Sequence, residues 1–316
     1  MNSVAIVDPQ HPLLHPWKLV LDTPAMSQLR EDLTQWLWTG IPGAVVAGPA
    51  RVGKTTALEQ LCDRLVDRTD SPIPVLKVSI PLRDQSTVLS VYRQLCWSAG
   101  LSVSNRDRAD QLADRFIHCI CDTMCEAGVA QALLVVDECQ RLSPRQFNVF
   151  AELYDKLRSI ERALLVLFVG NDVETWSLIN SMDPECFAHL HGRFFRIRRL
   201  YRGIASAEEV KYCLAQYDRL QFPPKSGHTF VAQYLPDAVN AGFRLAGAAT
   251  IFWRVFRGFQ KDHKLDSWGM QSFSITTNTL LTDFLPRYGA EALDDDMVEE
   301  AVRMSGLIPS LVKPLK

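Results

Sequence analysis

Gly48-Pro49-Ala50-Arg51-Val52-Gly53-Lys54-Thr55-Thr56 has the residue types and spacing of a phosphate-binding loop: a glycine, four residues, then glycine, lysine and threonine. Glycine lets the backbone curl so that successive N–H groups converge on phosphate oxygens. A helix that begins at such a loop adds the positive end of its dipole. In that arrangement Lys54 reaches the β and γ phosphates of ATP and the Thr55 hydroxyl holds Mg²⁺. The residues from Gly48 to Thr56 together form the expected nucleotide contact.

A second group follows further along the chain. Leu133-Leu134-Val135-Val136 runs directly into Asp137-Glu138. At the end of a buried strand, Asp137 is suited to the Mg²⁺ hydration shell. Glu138 is suited to polarise the water that attacks the γ-phosphate. A strand ending in a solvated acidic turn would look the same in isolation, and the phosphate loop upstream favours the catalytic pair. Leu167-Phe168-Val169-Gly170 likewise ends on a polar residue, Asn171, which can hold the attacking water beside Glu138 or simply make a turn. In His189-Leu190-His191-Gly192-Arg193-Phe194 a helix is expected to end at Gly192, with Arg193 at the start of a last strand. An arginine there suits a neighbouring subunit's phosphates better than its own, although Arg196, Arg198, Arg199 and Arg202 lie nearby. Arg244, in Gly242-Phe243-Arg244-Leu245, opens a helix and reads equally as a γ-phosphate contact or as an exposed helix arginine.

Positioning these groups requires a particular frame. Residues 44–47 precede the phosphate loop and residues 57–65 follow it with helical spacing. Apolar or β-branched runs at 73–80, 132–136, 163–169 and 194–197 read as further strands, and 87–99 and 109–127 as helices between them. Strands separated by helices imply an α/β fold with a five-stranded parallel sheet covered on both faces. Ligands of such sheets sit at the carboxyl ends of the strands, where the phosphate loop and the acidic pair meet. Residues 1–40 form a lead with a helix at 26–38, and Leu19 to Leu21 is a candidate wall for an adenine base. Residues 41–200 form the core. Helical patterns at 207–219, 229–235 and 240–256 suggest a small lid over 201–260. In the C-terminal extension, 261–316, a polar connector at 261–274 precedes short helices at 278–284 and 294–304, and 306–316 is expected to fray.

Composition narrows the class. A hydrophobic content of 47% with 22% charged residues is ordinary for a globular protein, and the net charge of −2 means that any DNA contact must come from a local patch. No apolar run is long enough for a membrane span and no secretory signal is read at the N-terminus, so a cytoplasmic protein is expected. Of the eight cysteines, Cys119, Cys121 and Cys125 share one helix beside His118, but they lack the second pair that structural zinc sites usually draw on. Reduced packing thiols are the expectation.

Taken together, residues 40–257 resemble an AAA+ ATPase: Walker A at 48–55, Walker B at 133–138, sensor-1 Asn171, finger Arg193 and sensor-2 Arg244. More narrowly, the chain resembles the TnsC/TniB regulators of bacterial transposons. The cues are Val135-Val136-Asp137-Glu138-Cys139-Gln140-Arg141-Leu142, Phe168-Val169-Gly170-Asn171-Asp172 and Gly192-Arg193-Phe194. The resemblance implies ATP-dependent self-assembly into a ring or helical filament on duplex DNA, with slow hydrolysis acting as a timer. It also implies partners: a transposase (TnsB-like), a target selector (TniQ/TnsD-like) and a C-terminal segment that recruits one of them. By the same resemblance the DNA-facing positions are Arg83, Thr87 and Arg93, then Asn105, Arg106 and Arg108. A few arginines and hydroxyls per subunit can follow a phosphate backbone without reading bases. Asp84, Asp107 and Asp110 dilute that patch, and an ATPase of secretion or signalling that never touches DNA is the alternative.

Overall fold

The structure is a computed structural model that describes residues 8–15, 19–62, 64–82 and 87–308. The chain divides into two units, one of Gln28–Ala50 and Lys54–Tyr201, the other of Met1–Ser27, Arg51–Gly53 and Arg202–Lys316.

The first unit is built on a parallel sheet. Its strands are β1 (Gly43–Gly48), β2 (Val75–Ser79), β3 (Gln131–Asp137), β4 (Ala163–Asn171) and β5 (Arg198–Leu200), in the order β2-β3-β4-β1-β5. All neighbouring pairs are parallel. Helices α1 (Pro24–Trp38), α2 (Lys54–Cys62), α3 (Val88–Ser98), α4 (Ala109–Glu126), α5 (Asn148–Ser159), α6 (Asp172–Ser181) and α7 (Ala188–Arg193) connect or flank the strands. This is the α/β arrangement with a five-stranded parallel sheet that the strand and helix pattern implies.

The three central strands are buried on both faces, which is why they read as unbroken apolar runs rather than as alternation. On one face Val45, Leu134, Val136, Val166 and Phe168 join the buried sides of α3, α4 and α5. Phe168 lies at the centre of an aromatic cluster, with ring centroids 5.1 Å from both Phe147 and Phe150 and 5.7 Å from Phe194. Phe168→Ala is expected to cost about 3–5 kcal/mol, measured as a lowered denaturant midpoint with an unchanged slope. The position is two residues before Gly170, so this cluster also fixes the end of β4.

The last strand departs from the expectation of 194–197. Phe194 and Phe195 are buried in the aromatic cluster directly after α7, and pairing with β1 begins at Arg198. A short edge strand carrying exposed charge offers no apolar run to read, and such charge protects a sheet edge from stray pairing.

The second unit is helical among its described residues. It comprises α8 (Ala207–Tyr217), α9 (Phe230–Tyr234), α10 (Pro236–Asn240), α11 (Ala249–His263), α12 (Met270–Thr279), α13 (Leu285–Tyr288) and α14 (Asp295–Met304), with a π-helical turn at Leu280–Phe284. The connector expected at 261–274 shrinks to the residues between α11 and α12. Within it Trp268 is fully buried, stacked 4.8 Å from Phe256 and edge-on to Phe273. Polar neighbours hid this anchor in the sequence. Leu21, part of the candidate adenine wall, is taken up in this helical core. The expected frayed stretch at 306–316 lies mostly outside the described residues.

Candidate nucleotide-hydrolysis site

Backbone geometry explains the composition of the loop after β1. A Cβ on Gly48 would run into the Tyr201 carbonyl, and Gly53 has a φ of +97°, a conformation that side chains disfavour. Arg51 also adopts a positive φ of 63°. Helix α2 begins at Lys54. The Lys54 ammonium donates to the carbonyls of Gly48 at 2.7 Å and Pro49 at 2.8 Å, so the lysine is folded back on the loop it follows. Burial pulls its pKa below the ordinary lysine value, while the charges of Asp137, Asp172 and Glu138 oppose that shift.

At the ends of the neighbouring strands the acidic pair meets this helix. Thr55 Oγ1 donates to Asp137 Oδ2 at 3.0 Å. Two adjacent ligands of an octahedral ion with metal–oxygen distances of about 2.0–2.1 Å lie about 3 Å apart. These two hard oxygens therefore fit a hydrated Mg²⁺, which binds through few protein groups. Glu138 sits directly after the strand in the left-handed region, with φ 57° and ψ 37°. Such a conformation costs about 1–3 kcal/mol and persists only where its surroundings enforce it. Here the Glu138 N–H donates to Asp137 Oδ1 at 2.9 Å and its carbonyl accepts from the Arg141 N–H at 3.0 Å.

Asn171 ends β4 in register with Gly48 of β1 and caps α6, its Oδ1 accepting the Glu174 N–H at 3.4 Å. Lys54, Thr55, Asp137, Glu138 and Asn171 are thus gathered along one edge of one sheet. Residues that sequence reasoning did not assign a role also stand there. Gln140 and Arg141 both hold the Glu138 carboxylate, and Asp172 acts on Lys54. In the sequence this edge is marked by the phosphate loop and by the apolar runs before Asp137 and Asn171, none of which singles out these three residues. Cys139 lies among these groups, but burial pushes its thiol up to about 12, and it packs beside Thr175.

The two other candidate arginines have local partners of their own. Arg193 is the last residue of α7, and its Nη1 pairs with Asp155 Oδ2 at 2.8 Å while the guanidinium lies 5.6 Å from the Tyr154 ring centre. Among its neighbours in sequence, Arg199 is held bidentately by Asp32, Arg202 by Glu209, and Arg198 by Phe195 O and Asn180. Arg196 is exposed and has no hydrogen-bond or ion-pair partner among the described residues. In the helical unit Arg244 donates to the carbonyls of Phe243 at 2.7 Å and Val239 at 3.3 Å, at the start of a 3-10 turn rather than inside a long helix.

Of the positions considered for DNA, Arg83 lies outside the described residues. Thr87 caps α3. Arg93 Nη2 donates to the Asn105 carbonyl at 3.0 Å, which brings α3 against the loop that carries Asn105, Arg106 and Arg108. Arg115 secures the other side of that loop through Ser102 O and Asp107. Asn105, Arg106 and Arg108 are exposed. Among the described residues no group of three His, Cys, Asp or Glu side chains is placed to hold a metal, and no helix is long and apolar enough to cross a membrane.

Comparison with known proteins agrees with this architecture. A family profile described as an AAA domain matches residues 43–178. No curated protein matches the chain. Among solved structures, the Aeropyrum pernix ORC2 protein in its ADP form is similar, with a TM-score of 0.53 and 13% identity over 88% of this chain and 67% of that one. The Aeropyrum pernix ORC1 protein in complex with DNA gives 0.53 and 14% over 92% and 68%. Drosophila ORC bound to DNA gives 0.55 and 12% over 89% and 67%. At these identities the likeness is one of fold, and the fold is AAA+.

Proposed function

We propose that this chain, whose residues 43–178 match an AAA domain, is an ATPase that assembles on duplex DNA and regulates transposition, linking a target selector to a transposase. The observation that carries the enzymatic reading is the Thr55–Asp137 contact with Glu138 beside it, at the strand edge where the phosphate loop opens. Thr55 and Asp137 would hold Mg²⁺, which when bound neutralises charge on the β and γ phosphate oxygens. Lys54 exchanges the Gly48 and Pro49 carbonyls for phosphate oxygens. Glu138 accepts a proton from the attacking water, and Asn171 orients that water. Support for DNA as the partner comes from the exposed Asn105–Arg106–Arg108 loop beside Arg93, from the resemblance to transposition regulators, and from solved relatives of the same fold that hold DNA. Repetition of so small a patch around an assembly raises affinity through multivalency.

Negative-stain imaging tests the reading, using a non-hydrolysable ATP analogue with and without duplex DNA. Rings or filaments that require both are expected. Assemblies indifferent to DNA and to salt would instead favour the ATPase that never touches DNA, a reading supported by the net charge of −2.

Arg193 enters as the finger supplied to a neighbour. Its present ion pair with Asp155 is half exposed, and such pairs are worth about 0–1 kcal/mol, so release on assembly costs little. Arg193→Ala should bind ATP normally and lose turnover by about 10³-fold. Mixing it with Glu138→Gln protein, which still carries the arginine, should restore part of the turnover. If Arg196→Ala produces the loss and Arg193→Ala does not, the finger is Arg196.

A further inference from the structure

The Glu138 carboxylate is held from two sides. Gln140 Nε2 donates to Glu138 Oε2 at 2.8 Å, and Arg141 Nη2 reaches the same oxygen at 3.0 Å. Each donor has a second anchor. Gln140 Oε1 accepts the Asn171 N–H at 3.3 Å, at the end of β4. Arg141 Nη1 donates to the Ile80 carbonyl at 2.9 Å, one residue beyond β2. Because β3 lies between β2 and β4 in the sheet, a group at its end is tied to both neighbouring strands. The Gln140 amide orientation follows from its own partners: a carboxylate requires the NH₂ and a backbone N–H requires the oxygen. Gly170 leaves the space this needs, since a Cβ there would strike Gln140 Oε1 and Thr175 Oγ1.

We infer that Gln140 and Arg141 are positioning residues that occupy Oε2 of Glu138 and leave Oε1 to take the proton of the attacking water. This rests on the reading of Glu138 as the base. In the step concerned, the water oxygen bonds to the γ-phosphorus and one of its protons passes to Oε1. The bond from that phosphorus to the bridging oxygen breaks, and its electron pair leaves with ADP. A carboxylate at the end of a flexible side chain would otherwise sample many rotamers. Misplacement of a reacting group by about 1 Å can cost about 10²-fold in rate.

The test is single-turnover and steady-state ATP hydrolysis with duplex DNA present. Gln140→Ala should lower kcat by about tenfold, and Gln140→Ala with Arg141→Ala by about 10²-fold, with KM for ATP and the Kd of a fluorescent ATP analogue changed less than twofold. Arg141→Lys should recover part of the Arg141→Ala loss, because an ammonium still reaches Oε2 but cannot span to Ile80 O as well. In a Glu138→Gln background, Gln140→Ala should lower the residual rate no further, since its effect passes through the carboxylate. An unchanged kcat in the double variant, or an equal loss with and without the carboxylate, overturns the inference and leaves the base assignment standing. Normal turnover by Glu138→Gln alone overturns the base assignment and the inference with it.

Discussion

Lys54→Ala is expected to abolish nucleotide-dependent behaviour altogether. In the structure the ammonium is half-buried and its hydrogen bonds go to two loop carbonyls. Those carbonyls cannot follow a phosphate, whereas the side chain can. On ATP binding the lysine exchanges two neutral acceptors for anionic ones. Hydrogen bonds to charged groups contribute about 1.5–3 kcal/mol each, so losing two corresponds to roughly 10²–10⁴-fold in affinity. Burial already disfavours the charged lysine, and the carboxylates of Asp137, Asp172 and Glu138 offset part of that. An arriving triphosphate completes the compensation. Titration with a fluorescent ATP analogue measures the loss directly. Light scattering with duplex DNA should show no assembly at nucleotide concentrations that saturate the wild type. The fold should survive, because the side chain spans no core contact, and an unchanged melting temperature without nucleotide checks this. Binding within threefold of wild type would mean that the loop grips phosphate by its backbone alone.

Much of this site was legible because its parts are local. The loop from Gly48 to Thr56 is one contiguous string, and the residues 133–138 announce a doubly buried strand and its acidic end without help from elsewhere. What the sequence could not supply was pairing across distance. Arg193 and Asp155 lie far apart in the chain, and nothing in either segment marks the other. The bonds from Gln140 to Asn171 and from Arg141 to Ile80 depend on strand order and register, which settle only when the sheet forms. Helical spacing marked α11 but neither of its ends: the expected start at 240 falls at the end of α10, with a 3-10 turn at Leu245–Ala248 before α11 begins, and the last residues before Lys264 are polar. The edge strand β5 is expected at 194–197, a few residues early, for the opposite reason. Its residues are charged, and the aromatic pair before it, Phe194 and Phe195, carried the stronger apolar signal.

Glu138→Gln should separate binding from chemistry more cleanly than any other substitution. Glutamine has nearly the shape of glutamate, and its carbonyl oxygen can still accept from Gln140 and Arg141. The charge of the Glu138–Arg141 pair is lost, but both partners are about one third exposed, where an ion pair is worth about 0–1 kcal/mol. The left-handed backbone at this position is common to both residues and so cancels in the comparison. What disappears is the proton acceptor. General-base catalysis typically contributes about 10²–10⁴-fold, so turnover should fall into that range while ATP affinity stays within about twofold. If hydrolysis is what dissolves the assembly on DNA, the variant should hold assemblies for far longer than wild type after free ATP is removed. Time-resolved light scattering following a nucleotide chase measures that lifetime. A variant that loses turnover but disassembles at the wild-type rate would separate hydrolysis from release, and ATP would then act through occupancy of the site. Normal turnover would shift the search for the base to other groups on the same strand edge, with Asp172, close enough to act on Lys54, the first to examine.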